Sequence, residues 1–138
     1  MKIGIASDHA GYQLKENIKK IFYDYEFVDY GCETEEAIDY PDVAKPLCRD
    51  IDVLDIGILI CGTGNGMSMT ANKFSKIRAA LCWTPEIAEF ARLHNDANVL
   101  VLPARFIEED IACDIIDTFL SREFEGGRHL RRVEKITD

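Results

Sequence analysis

Cys61 ends an apolar run, Ile58-Leu-Ile-Cys61, and glycines follow at positions 62, 64 and 66. A thiol in that setting could be buried filler, a metal ligand, a nucleophile, or a proton carrier beside a glycine cradle. Glycines at alternate positions let backbone N–H groups converge on an anion, either a phosphate or the oxyanion of a reaction intermediate. The plain alternative is a tight strand-to-helix turn. The start of a helix just beyond the loop would favour the thiolate form of Cys61. Cys32, Cys48, Cys82 and Cys113 lack that setting and read as small buried hydrophobes.

The loop fails as a nucleotide fingerprint. It reads G-x-G-x-G rather than G-x-G-x-x-G, and the next strand, IRAALCW, carries no acidic residue at its end. No Gly-Lys-Ser/Thr follows, so it is not a Walker loop either. Asp8-His9 follows the first apolar segment. A carboxylate beside an imidazole can grip sugar hydroxyls or phosphate, or Asp8 can simply cap the next helix. Arg128 and Arg132 are four residues apart and suit a phosphate, unless they form the solvated basic end of an acidic chain. Arg105 has the same two readings. His94 shares a helix face with Ile87, Phe90 and Ala91, which suggests a core histidine. If it is catalytic, its place at a helix C-terminus puts it at the sheet edge opposite Cys61, and a neighbouring subunit must supply it.

These side chains need a scaffold, and the periodicity supplies one. Lys2–Ser7, Glu26–Tyr30, Asp55–Cys61, Ile77–Cys82 and Asn98–Leu102 read as strands. Asp55–Cys61 is a continuous apolar run, expected of a strand covered on both faces of a parallel sheet. Leu14, Ile18, Ile21 and Phe22 mark a helix from Tyr12 to about Tyr23. Pro41 and Pro85 suit the first turns of helices to about residues 51 and 94. A helix of about 66–73 follows the glycine loop, and residues 107–120 form a strongly amphipathic one. Short alternating units predict an α/β fold: a Rossmann-like three-layer α/β/α domain on a five-stranded parallel sheet, residues 1–138 forming one unit. Ligands then belong at the carboxyl ends of the strands, where SDHAG, CGTGNG and Arg105 all fall. The tail from about residue 121 lacks a strong apolar period.

Composition narrows the function classes. The chain has 138 residues, of which 47% are hydrophobic, enough for one core. The net charge of −9 argues against nucleic acid as a partner. No apolar run approaches a membrane span, and MKIGIASDHAGY reads as a strand rather than a signal peptide. Five cysteines with no C-x-x-C pair suggest reduced thiols in a cytoplasm and no structural zinc.

Five ordered blocks, IASDHAGYQLKE at 4–16, DYP at 39–41, ILICGTGNGMSMTANK at 58–73, HNDANVL at 94–100 and EGGRHLRRV at 125–133, resemble the type B ribose-5-phosphate isomerases. These lie within the wider group that includes galactose-6-phosphate isomerase. The resemblance runs through nearly the whole chain. It implies a Rossmann-like homodimer with active sites shared between subunits, sometimes assembled into tetramers. It also implies interconversion of D-ribose 5-phosphate and D-ribulose 5-phosphate, in the non-oxidative pentose phosphate branch, with no metal and no cofactor. By position, Cys61 would be the catalytic base, Thr63 would assist, and Gly62, Gly64, Asn65 and Gly66 would carry the cradle for the enediolate. His94 would open the furanose ring. Asp8, His9, Tyr40 and Asn95 would hold the sugar, and Arg105, Arg128 and Arg132 the phosphate. In one branch of the family a glutamate replaces the cysteine base, about four residues past the last cradle glycine. Here that position is Thr70, so the chain resembles the cysteine branch. A hexose-phosphate isomerase and a non-catalytic sugar-phosphate-binding module are the alternative readings. The joint presence of Cys61, His94 and both tail arginines argues against the second.

Overall fold

The computed structural model describes residues 1–137. Five strands form one wholly parallel sheet: β1 (Lys2–Ser7), β2 (Glu26–Asp29), β3 (Ile56–Cys61), β4 (Ala79–Leu81) and β5 (Val99–Pro103). Their spatial order is β2-β1-β3-β5-β4. The helices are α1 (Tyr12–Ile21), α2 (Pro41–Arg49), α3 (Asn65–Ala71), α4 (Pro85–Asn95), α5 (Glu109–Ser121) and α6 (Arg128–Glu134). The three-layer α/β fold expected from the sequence is the one observed, and its strands match the sequence reading to within a residue or two. The exception is β4, which pairs over three residues where six were expected, because it is an edge strand bonded only to β5.

Two apolar clusters cover the sheet. One joins Ile3, Ile5, Ile58 and Ile60 to Ile18 of α1, Ala88 and Ala91 of α4 and Ile115, Ile116 and Phe119 of α5. The other joins Ala6, Leu59, Cys61, Val99 and Val101 to Ala44 and Leu47 of α2 and Met67 and Ala71 of α3. β3 sits between them and is buried at every residue. Its alternate side chains feed the two clusters, which explains the unbroken apolar run.

The helices that follow β1 and β5 lie on one face of the sheet, and the helix that follows β3 lies on the other. The chain therefore parts on both sides of β3 at its carboxyl end. Such partings are where open parallel sheets take ligands.

α4 differs from the sequence expectation. It packs on the sheet through Ala88 and Ala91, while Ile87 and Phe90 are 52% and 47% exposed. Of the residues expected to share a core face with His94, only Ala91 packs inward; Ile87 and Phe90 look outward and His94 is half-buried. Small alanines allow close approach to the sheet, so the large apolar side chains are left facing away.

Candidate active site

Cys61 closes β3 and is 4% exposed. The chain turns immediately afterwards. Ala104 N–H donates to the Cys61 carbonyl at 2.8 Å and Arg105 N–H to the Gly62 carbonyl at 3.0 Å, so the cradle is anchored to the end of β5. Gly64 has φ +79°, and a Cβ there would lie 2.3 Å from Leu81 Cδ1. Only glycine meets both demands at that position. Thr63 Oγ1 accepts from Asn65 N–H at 3.2 Å, which tightens the turn into α3. Among the described residues, the amides of Gly62, Thr63, Gly64 and Gly66 have no protein acceptor and are free for a ligand.

The neighbours of this loop come from three other strand ends. Asp8 N–H donates to the Ile60 carbonyl at 3.1 Å, which ties the Asp8-His9 turn to β3. The Asp8 side chain does cap: Oδ1 accepts from Ala10 and Gly11 N–H at 2.9 and 3.1 Å. Capping occupies only that oxygen among the described contacts. His9 Nδ1 accepts from Ile38 N–H at 3.3 Å, so in its neutral form the ring proton sits on Nε2, facing away from that bond as a donor. The Tyr40 ring lies against Gly66, where a Cβ would meet Cζ at 2.4 Å. Arg105 lies over Gly62, where a Cβ would stand 3.2 Å from Cδ and 3.3 Å from Nη1. Its guanidinium makes no ion pair among the described residues. One edge of the sheet thus gathers a thiol, free amides, an imidazole, a carboxylate, a phenol and a cation.

The remaining candidates gather at the opposite edge. α4 begins beyond the end of β4 and carries His94 and Asn95 back to the start of β5. Asp96 ends the helix in the left-handed region, at φ 47°. Arg78 Nε donates to its carbonyl at 2.9 Å, and Arg92 Nη1 reaches both its carboxylate and the Ala97 carbonyl. This clamp fixes the turn that presents His94 and Asn95. The tail docks on the same helix end, with Glu125 N–H donating to the Leu93 carbonyl at 3.1 Å. α6 follows, and its Arg128 and Arg132 are exposed and without ion pairs among the described residues.

Three residues here escaped the sequence reading. Arg78 and Arg92 hold Asp96, and only the four-residue spacing of Arg92 and Asp96 hinted at it. His129 is 7% exposed and stacks on His94, with ring centroids 4.1 Å apart and planes 12° apart. Donor atoms of His94, Glu125 and His129 lie within 4.8 Å of one another. A metal, however, binds an imidazole in the ring plane along the nitrogen lone pair. Two nearly parallel stacked rings direct their lone pairs side by side rather than to one point, so this cluster is a stacked pair and not a metal cage.

The fold and the Cys61 edge define a parallel α/β domain with free backbone amides beside a thiol and one cation, Arg105, without an ion pair among the described residues. Comparison with known proteins narrows the class: the family model described as Ribose/Galactose Isomerase matches residues 3–136, and the chain belongs to that family. Ribose-5-phosphate isomerase B of Escherichia coli (strain K12) is 42% identical over 140 residues, 99% of this chain and 94% of that protein. A crystal structure of a ribose 5-phosphate isomerase from Thermotoga maritima shares 52% identity and superposes with a TM-score of 0.95, covering 98% of this chain and 96% of that one. The Mycoplasma genitalium ribose-5-phosphate isomerase B, solved with bound ribulose-5-phosphate, has 44% identity and a TM-score of 0.90, over 98% and 93% of the two chains.

Proposed function

We propose that the chain is a ribose-5-phosphate isomerase of type B, interconverting D-ribose 5-phosphate and D-ribulose 5-phosphate. The observation that carries this is Cys61 beside four free amides, in a chain of this family. Aldose–ketose isomerisation needs a base, a held enediolate and a ring opener. Cys61, as thiolate, takes the proton from C2 of the open-chain aldose. The electron pair moves toward C1, and its oxygen becomes the enediolate oxygen met by the Gly62–Gly66 amides. The thiol then returns the proton to C1, while the O2 proton passes to O1, a transfer assigned to Thr63 on the cradle, and O2 becomes the ketone oxygen. Hydrogen moves only within the substrate, so the step uses no external oxidant or reductant. Asp8, His9 and Tyr40 line the sugar, with Asn65 at the cradle rim, and Arg105 meets the phosphate.

Ring opening requires a proton at the furanose oxygen. Within one chain His94, Asn95, Arg128 and Arg132 stand at the wrong edge for it. The exposed face of α4 offers the remedy. Trp83, Ile87 and Phe90 run along it toward the half-buried His94, and Phe106, beside Arg105, packs against Trp83 with ring centroids 5.7 Å apart and planes tilted by 49°. Trp83 and Phe106 are 46% and 58% exposed, too much contiguous apolar surface for a solvated face. A two-fold contact along this stripe runs from one edge of the sheet to the other. It would bring His94 and the tail of one copy toward the Arg105 and Cys61 edge of its partner, making a homodimer with shared sites.

Mixing inactive Cys61→Ala and His94→Ala chains tests both halves of the proposal. Random reassortment leaves one intact site in each mixed dimer and predicts about a quarter of the wild-type rate. No recovery after verified exchange would overturn the shared site. Activity retained in Cys61→Ala alone would overturn the base.

A further inference from the structure

The His94–His129 pair contains a residue the reaction above leaves without a role. His129 is the one buried residue of α6. Its ring lies face to face with His94 at 4.1 Å, while Phe90 braces the other imidazole at 5.0 Å with a 40° tilt. His94 is thus held by an aromatic on its own helix and by a ring from the tail. The tail is itself pinned to α4 through Glu125 N–H and the Leu93 carbonyl.

We propose that His129 is a positioning residue for ring opening: its ring is the flat platform on which His94 stacks. The inference rests on the reading of His94 as ring opener. Charge around the pair supports it. The groups that bear on His129 are His94 on α4, Arg128 and Arg132 on α6, and Glu125 on the connecting segment. Burial, then the His94 and Arg128 charges, and lastly Arg132, hold the His129 imidazole below the usual histidine range, with Glu125 opposing. The Glu125 carboxylate lies 3.7 Å from His129 Nε2, beyond hydrogen-bond reach, and does not reverse the balance. Protons on both rings would set two imidazolium rings face to face beside two arginines. Such coupled sites titrate as a pair. As pH falls and His129 takes a proton, the stack opens, His94 loses its fixed orientation, and kcat drops while phosphate contacts persist.

The test compares wild type, His129→Ala, His129→Phe and His94→Ala in the assembled enzyme. kcat and KM for ribose 5-phosphate are measured from pH 5 to 8, and imidazole titrations are followed by NMR. His129→Ala should lose about ten-fold in kcat with KM changed less than about three-fold, the loss expected when a catalytic group is left unoriented. His129→Phe keeps a flat ring and should recover most of that loss, with the acid-side fall in kcat displaced to lower pH. In His94→Ala the His129 titration should move up. A His129→Ala enzyme with wild-type kcat and pH profile would sink the inference, as would a His129→Phe enzyme no better than His129→Ala, since a ring nitrogen rather than the stack would then matter. Full activity in His94→Ala would instead sink the reading of His94 itself.

Discussion

The thiols of this chain separate by surroundings. Burial pushes Cys82 up to about 12 and Cys48 up to about 11. Cys113 is also raised, by burial and then by the carboxylates of Glu109, Asp114, Asp117 and Asp110. All three are kept protonated at neutral pH, and none adjoins free amides. Cys61 does, and Cys61→Ala should lower kcat for ribose 5-phosphate by about 10²–10⁴-fold in a steady-state assay, the usual worth of a general base. Gly66→Ala should also be costly. Its Cβ would fall 2.4 Å from the Tyr40 ring and push that phenol off the cradle. The expected readout is a raised KM together with a lowered kcat. Arg132→Ala should raise KM about ten-fold or more with kcat little changed, as loss of a charge-assisted phosphate contact predicts. An unchanged KM would remove it from the site.

Among the elements, α1 and the end of β2 are joined by the least expected contact. Lys15 is 1% exposed, and its ammonium meets the two Asp29 oxygens at 2.9 and 2.7 Å and Glu16 at 3.2 Å. Asp29 also accepts from Lys19 Nζ and from Gly31 N–H, so the network fixes the turn that leads into the Cys32–Tyr40 loop. Burial by itself would raise the Asp29 carboxyl, but Lys15, Lys19 and the Gly31 amide outweigh it and hold it below the usual carboxylate range. Glu16 is lowered by the same lysines against the same burial effect. A depressed carboxyl contributes stability above its unfolded value that is lost as pH falls toward its folded one. Unfolding free energy should therefore fall below about pH 4, and chemical denaturation across that range should show the fall flattened in Asp29→Asn. Asp29→Ala leaves the buried Lys15 ammonium with Glu16 alone and should destabilise the fold by about 3 kcal/mol.

For the whole molecule, the proposed roles of His94 and Cys61, which stand at opposite edges of the sheet, would make assembly part of the chemistry. Phe90→Glu places a charge in the middle of the exposed α4 stripe. Light scattering should then report monomers, and activity should vanish although Cys61 and its cradle are untouched. A fully active monomer would overturn the shared site. Among the described residues no helix is long and apolar enough to cross a membrane, and the exposed apolar surface is better explained by a second copy of the chain. The proposed shared site also gives the tail a reason to exist: α6 adds little to the sheet's own clusters yet carries three arginines, Arg128, Arg131 and Arg132, that form no ion pair among the described residues, and the ring that stacks on His94.

Much of this was legible along the chain because local chemistry writes itself locally. Period-two and period-3.6 patterns, a double-covered β3 and prolines at helix starts specify a parallel α/β domain, and the residue types at strand ends nominate Cys61, its glycines, Asp8-His9 and Arg105. The outward face of α4 was misread because periodicity tells that a helix has an apolar side, but not whether that side meets the sheet or the solvent. Small Ala88 and Ala91 won the sheet contact, which pattern alone ranks below Ile87 and Phe90. The grip of Arg78 on Asp96, the network around Lys15 and the stacking of His129 on His94 join residues from 14 to 35 positions apart. Sequence determined which groups could do the chemistry and, through the polarity of a parallel α/β unit, that His94 stands at the edge opposite Cys61; only tertiary packing decided that the tail docks at that edge and lays His129 on His94, because that contact joins segments with no local signal for each other.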